Sequence, residues 1–180
     1  MDNLIRVYDN VIDSDYCHEL MDKFENNEQL HEKFDDRSMI FTQINIQKVG
    51  WIHDVNLLKA IFTNHVEKYK NDCKVEKQQM PLTCVLEPIR MKRYLPNNYD
   101  EFRSHVDVTS RTNCTRFLVM FLYLANNKNG KTIFPNLDIE IECKQGSLLI
   151  FPPMWPWLHR GTKPIIKPKY FLGSYLHYVD

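Results

Sequence analysis

Apolar positions divide the chain into two styles. Over residues 14–70 they recur at helical spacing. Cys17, Leu20, Met21 and Phe24 fall on one face of a helix, just after an Asp13-Ser14 pair suited to capping its start. Ile52, Val55, Leu58, Phe62, Val66 and Tyr69 form a second, longer stripe. Between the two, residues 41–49 alternate loosely and predict an edge strand. The polar stretch 71–80 predicts a surface loop. From residue 82 onward the spacing shortens. Extended segments are predicted over 83–94, 103–109, 116–124, 137–143, 147–151, 158–161 and 169–179. Asn129-Gly130 is a hairpin signal. Residues 117–124, FLVMFLYL, are apolar on both faces, so the outer side of that strand needs a cover. The two amphipathic helices are suited to provide it. Many short strands under two helices predict one domain with an all-β core, a sandwich or barrel, flanked by helices. Helical support lies mainly in 1–80 and the β core mainly in 82–179.

Composition narrows the function classes. With 23 basic and 23 acidic residues, the 180-residue chain has no net field to attract nucleic acid or an anionic membrane. Five cysteines, an odd number without a CxxC pair, argue against a disulfide framework and a structural zinc site, and for a reducing compartment. Neither a secretory leader nor a bilayer-length apolar run is present, so the expected location is the cytoplasm. The GxSxG, P-loop and GxGxxG motifs are missing, which weakens hydrolase, kinase and dehydrogenase readings.

The chemistry centres on His105-Val106-Asp107. On a strand, residues i and i+2 share a face, so His105 and Asp107 would project together and offer two ligands to a divalent metal. His159 is the candidate third ligand. Two histidines and one carboxylate on one face of an octahedron leave the other face open, the arrangement of non-haem iron(II) sites. Taken alone, His-x-Asp is a weak signal, because a surface histidine and aspartate fall at this spacing by chance. Lys169 lies ten residues after His159 and opens the terminal strand, where a fixed cation could pair with a dicarboxylate that chelates the metal at its other end. His18, His31, His53 and His65 read as surface or helix residues. His177, on the last strand, reads as packing.

The order HVD, then GSLLIFPPMWPWLHRGTKP, then KYFLGSY resembles the 2-oxoglutarate- and iron(II)-dependent oxygenases of the prolyl 4-hydroxylase-like group. The resemblance runs from about residue 90 to the end. It implies a double-stranded β-helix, or jelly roll, with helices packed on one sheet. It also implies iron(II) held by His105, Asp107 and His159, and 2-oxoglutarate as cosubstrate with its far carboxylate on Lys169. Molecular oxygen is the oxidant and ascorbate a candidate reductant. By the same resemblance Tyr123 hydrogen-bonds that carboxylate and Tyr94 lines the pocket. The chain departs from the family pattern at Asn129-Gly130, where Gly-Gly is common, at Tyr175, where tryptophan is common, and in carrying lysine rather than arginine at 169.

The expected activity is hydroxylation of an unactivated C–H bond, with a prolyl residue of a peptide or protein as substrate. Hydroxylation of a free amino acid or other small molecule is the alternative. A catalytically silent jelly-roll binding module is the alternative of another class. Period-two alternation places Arg90, Lys92 and Tyr94 on one face of the strand before HVD, so Arg90 or Lys92 is expected to meet a substrate carboxylate or an internal acid such as Glu87 or Asp100. Trp157, beside Pro156, is a further candidate for the substrate side, and Trp155 could share that lip.

Overall fold

Asp13 sits in extended backbone, and its carboxylate accepts the amide of Tyr16 at 2.7 Å, which satisfies a free helix-start N–H. The helix that begins there, α1 (Ser14–Glu25), is one of two α-helices among the described residues. The structure is a computed structural model and describes residues 2–36 and 39–179. Before α1 lies strand β1 (Arg6–Tyr8); after it come β2 (Glu32–Asp35), β3 (Met39–Asn45) and the long helix α2 (Ile52–Asp72). The strands β4 (Cys84–Leu86), β5 (Arg90–Tyr94), β6 (Glu101–His105), β7 (Arg116–Tyr123) and β8 (Asn127–Phe134) follow. The last four are β9 (Ile139–Cys143), β10 (Leu148–Phe151), β11 (His159–Gly161) and β12 (Lys169–Tyr178).

All strand pairs are antiparallel, in the order β1-β10-β7-β12-β5-β3-β6-β11-β8-β9, with β2 added to β3 and β4 to β12. The sheet curls on itself as a jelly roll, and β3 makes the bend. Its end, Thr42–Asn45, pairs with β5, while Met39 and Ile40 pair with β6. The expected edge strand at 41–49 is therefore an interior strand. Phe41 through Asn45 are all buried, because both halves of the curl need a partner along it.

Two apolar clusters flank the sheet. Outside, Cys17, Leu20 and Phe24 of α1 and Leu58, Phe62, Val66 and Tyr69 of α2 pack on Leu118, Met120, Leu122 and Leu172. The helices thus cover the outer face of β7, as its two-sided apolar run requires. Each fully buried side chain of this kind contributes roughly 1.5–3 kcal/mol. Inside the curl, Val119, Phe121 and Tyr123 alternate with that set and join Phe134, Phe151 and Phe171.

Two other expectations change. The strand predicted over 103–109 stops at His105, so Asp107 belongs to the loop that follows. Asn129-Gly130 lies inside β8 rather than at a reversal. Neither residue takes the positive φ that a two-residue hairpin turn needs, and the Asn127 carboxamide accepts both of their amides. The reversal comes at residues 135–138, where Asp138 has φ 54°. The short strands β1 and β2 carry too few residues to show a period. Among the described residues no helix is long and apolar enough to cross a membrane.

Gly146 has φ +75°, and a Cβ there would stand 2.4 Å from the backbone carbonyl of Ile12. Gly50 has φ +76° with open space around it. Alanine at position 50 should cost about 1 kcal/mol from left-handed backbone alone. Alanine at 146 should cost clearly more, about 2–3 kcal/mol, because a backbone segment must also shift. Urea unfolding of the two variants measures the difference.

Candidate active site

Antiparallel pairing sets His159 on β11 opposite His105 on β6. The register shifts after this pair, so the two histidines are cross-strand neighbours at an irregularity. Their rings lie 4.3 Å apart, centre to centre. Each ring is oriented from behind. His105 Nδ1 donates to the Arg103 carbonyl at 2.7 Å, and His159 Nδ1 donates to the Trp157 carbonyl at 3.0 Å. A carbonyl can only accept, so each Nδ1 carries the proton and each Nε2 keeps its lone pair. Phe102 stacks on His105 at 3.6 Å, and Phe151 meets His159 edge-on at 4.8 Å.

Asp107 reaches the same point from the loop after β6. Its backbone N–H donates to the Pro153 carbonyl at 3.1 Å. One carboxylate oxygen, Oδ1, accepts the Tyr175 hydroxyl at 2.8 Å. His105 Nε2 and His159 Nε2 lie 3.6 and 3.5 Å from the carboxylate oxygens. The ligand atoms of the three residues lie within 4.8 Å of one another. His105 Nε2, Asp107 Oδ2 and His159 Nε2 are all buried without a hydrogen-bond partner. Three converging lone-pair donors, each lacking a proton to accept, fit a divalent cation and little else.

The protonation states suit that role. Burial pushes His159 down to about 4, against the opposing charge of Asp107, so its imidazole is neutral near pH 7. Burial works to raise Asp107. The close approach of His105 and His159 and the Tyr175 hydroxyl outweigh it and hold the carboxyl at about 2.

Behind the triad lies a narrow pocket with about 20 Å³ of free space, room for about one water, whose lining includes Tyr94, Thr132, His159, Lys169 and Phe171. Lys169 is 3% exposed, and among the described residues no carboxylate pairs with it. Its ammonium stands 5.4–5.9 Å from the ring centres of Phe171, Tyr123 and Tyr94. A Cβ on Gly130 would come within 3.1 Å of the lysine stem, so that glycine makes room for it. The Tyr123 hydroxyl is shared with Thr132 at 2.7 Å. Lys163 bonds the Asn98 carbonyl at the surface, and Lys167 is exposed.

An open cleft continues from this cavity past His105 and Asp107, lined also by Phe41, Arg90, Lys92 and Arg116. Arg90 and Lys92 are both partly buried there. Trp157 is buried and lines neither space; its carbonyl orients His159. Trp155 is 80% exposed and likewise lines neither space. Neither tryptophan forms a lip in this structure, because the short 3-10 turn at Trp155–Trp157 turns one ring inward and the other to solvent. Sequence reasoning did not single out Arg116 or Phe102, and gave Tyr175 no role at the metal. Tyr175 shares the face of Lys169 at even spacing, which is the signal that could have placed its hydroxyl on the site.

No protein-family model matches the chain. A protein of Acanthamoeba polyphaga mimivirus named "Putative prolyl 4-hydroxylase" is 30% identical over 162 residues, 82% of this chain and 60% of that protein's length. The chain thus spans about three-fifths of this curated relative. Among solved structures, the viral collagen prolyl hydroxylase of Paramecium bursaria Chlorella virus-1, in complex with 2-oxoglutarate, superposes with TM-score 0.71 at 17% identity, covering 98% of this chain and 97% of that one. A prolyl hydroxylase of Trichoplax adhaerens, bound to a hypoxia-inducible-factor peptide fragment, gives 0.73 at 15% identity, covering 97% and 84%. A Pseudomonas putida prolyl 4-hydroxylase gives 0.64 at 11%, covering 98% and 94%. The fold is the jelly roll that these structures share.

Two outcomes follow from the geometry. Tyr175→Phe removes the hydroxyl that leaves Asp107 Oδ2 facing the histidines, so divalent-metal affinity should fall about tenfold, read by cobalt(II) absorbance titration. His159 has a folded pKa below its unfolded value near 6.5, so the unfolded chain binds the extra proton between about pH 6.5 and 4. Stability of the metal-free protein should therefore fall as pH drops through that window. His159→Phe should flatten this part of the urea-midpoint profile.

Proposed function

We propose that the protein is an iron(II)- and 2-oxoglutarate-dependent dioxygenase that hydroxylates a prolyl residue of a peptide or protein. The observation that carries the reading is the convergence of three orphaned ligand atoms beside a buried lysine with no carboxylate of its own. The jelly-roll likeness to prolyl hydroxylases and the mimivirus relative support the same reaction class.

His105, Asp107 and His159 would hold the metal, each through one buried ligand atom. Bound iron(II) supplies the oxygen chemistry, in which 2-oxoglutarate is oxidised to succinate and carbon dioxide while one oxygen atom enters a substrate C–H bond. Lys169 pairs with the far carboxylate of 2-oxoglutarate, and that dianion supplies the counter-charge a buried ammonium requires. Tyr123 keeps Thr132 turned along the cavity wall, and Tyr94 closes its floor. Phe102, Phe121 and Phe171 exclude water from the same space. The open cleft beyond Asp107 receives the chain to be hydroxylated. Its aromatic side, with Phe34, Phe41 and Phe102, suits a prolyl ring better than a polar group.

The test is an anaerobic titration with iron(II) and 2-oxoglutarate, followed by oxygen and a proline-peptide panel with succinate release as the readout. Peptide-stimulated succinate and a product heavier by one oxygen are expected. Asp107→Ala should abolish turnover of 2-oxoglutarate. Lys169→Ala should weaken 2-oxoglutarate binding by about tenfold or more, as expected for loss of a buried charged partner, and far more than Lys167→Ala does. Equal effects of the two lysine changes would reject the role given to Lys169.

A further inference from the structure

The charges in the open cleft are unequally matched. Strand β5 turns Met91 into the helix-covered core and Arg90 and Lys92 toward the cleft. Arg90 is already engaged, since its guanidinium donates to Glu87 Oε2 at 2.9 Å. Arg116 donates to the other oxygen, Oε1, at 2.7 Å, and His177 Nε2 lies 2.6 Å from that same atom. Both oxygens of Glu87 are thus occupied. Asp107, the one acid lining the cleft among the described residues, faces the histidines and Tyr175. Asp100, on the loop before β6, accepts the Leu95 amide and the Asn97 carboxamide.

Lys92 is left over. No hydrogen bond or ion pair forms at its ammonium among the described residues. The group stands among aromatic rings, 4.6 Å from the centre of Phe41, 5.7 Å from Phe102 and 5.9 Å from Phe171. Lys92, Phe102, His105, Phe121 and Tyr175 line both the narrow pocket and the open cleft, so the lysine stands where the two meet, beside the triad. Ring faces favour a cation only weakly compared with the water it has lost. Burial brings Lys92 down to about 8, and the neighbouring Arg90 and Arg116 add to this against the pull of Asp107. An arriving anion would relieve both effects.

We propose that Lys92 is a specificity-determining residue that binds a carboxylate of the substrate, so the enzyme prefers an acidic group next to the carbon it hydroxylates. This rests on the dioxygenase reading above. Lys169, at the closed end, serves the cosubstrate; Lys92, at the junction, serves the substrate. Arg90 and Arg116 stay with Glu87. The carboxylate can belong to an acidic side chain in a peptide or to the α-carboxyl of a single amino acid.

Two matched probe pairs separate these sources. One is acetyl-prolyl-aspartyl amide against its asparaginyl counterpart; the other is N-acetyl-proline against its amide. Binding is measured anaerobically by calorimetry on protein holding iron(II) and 2-oxoglutarate, so that no turnover is needed. In at least one pair the acid should bind about 30-fold more tightly than the amide, as expected for a desolvated charge pair. That pair identifies the source. Lys92→Met should bring acid and amide within about twofold, and Lys92→Arg should retain the preference. Equal constants for acid and amide in both pairs would overturn the proposal, and this comparison on the unaltered protein needs no variant. A preference that survives in Lys92→Met overturns it too. So does a loss of 2-oxoglutarate affinity in Lys92→Met as large as in Lys169→Ala, since Lys92 would then serve the cosubstrate. An unaltered protein that binds no 2-oxoglutarate overturns the dioxygenase reading itself, a result distinct from all of these.

Discussion

The site depends on one backbone register, the pairing of β6 with β11 that sets His159 opposite His105. Because side chains alternate across a sheet, a slip of one residue would send either imidazole to the far face. The irregularity just after this pair and the end of β6 at His105 free Asp107 to turn back toward both rings. Backbone carbonyls at Arg103 and Trp157 then fix which nitrogen of each ring faces inward. The geometry of the triad is thus mostly a property of the main chain. Side chains such as Tyr175 make the final adjustment.

Charge is distributed around this centre by enclosure. Lys169 is removed from bulk water in the pocket behind the triad, and Lys92 is partly buried among aromatic rings. Neither is matched by a carboxylate among the described residues, whereas Arg90, Arg93 and Arg116 each have one. Unmatched buried cations cost stability unless something outside the chain completes them. On the readings proposed above, an anion from cosubstrate or substrate would complete each of them.

Much of this was legible in the sequence where a period was long. The stripe from Cys17 to Phe24 and the one from Ile52 to Tyr69 lead directly to the two helices, and the unbroken apolar run of β7 to their place upon it. His105, Asp107, His159 and Lys169 are legible through their order and spacing, and the structure brings all four to one region. What was not legible arises from long-range pairing. Nothing local distinguishes β3 as the strand that bends the sheet, because its loose alternation resembles that of an edge. Asn129-Gly130 carries a turn signal that Asn127 overrides by capturing both amides. The assignments of Arg90 to Glu87 and of Lys92 to no acid depend on where β7 and β12 carry Arg116 and His177, which no spacing within β5 encodes.

The sheet bends at β3, so the triad and Lys169 stand on opposite limbs of the curl: the triad comes from β6, its following loop and β11, and the lysine from β12. On the proposed function, a dicarboxylate held by the triad on one limb and by Lys169 on the other would be a strut between them. Its binding would then stiffen the curl, since any fluctuation that spreads the limbs would also loosen the strut.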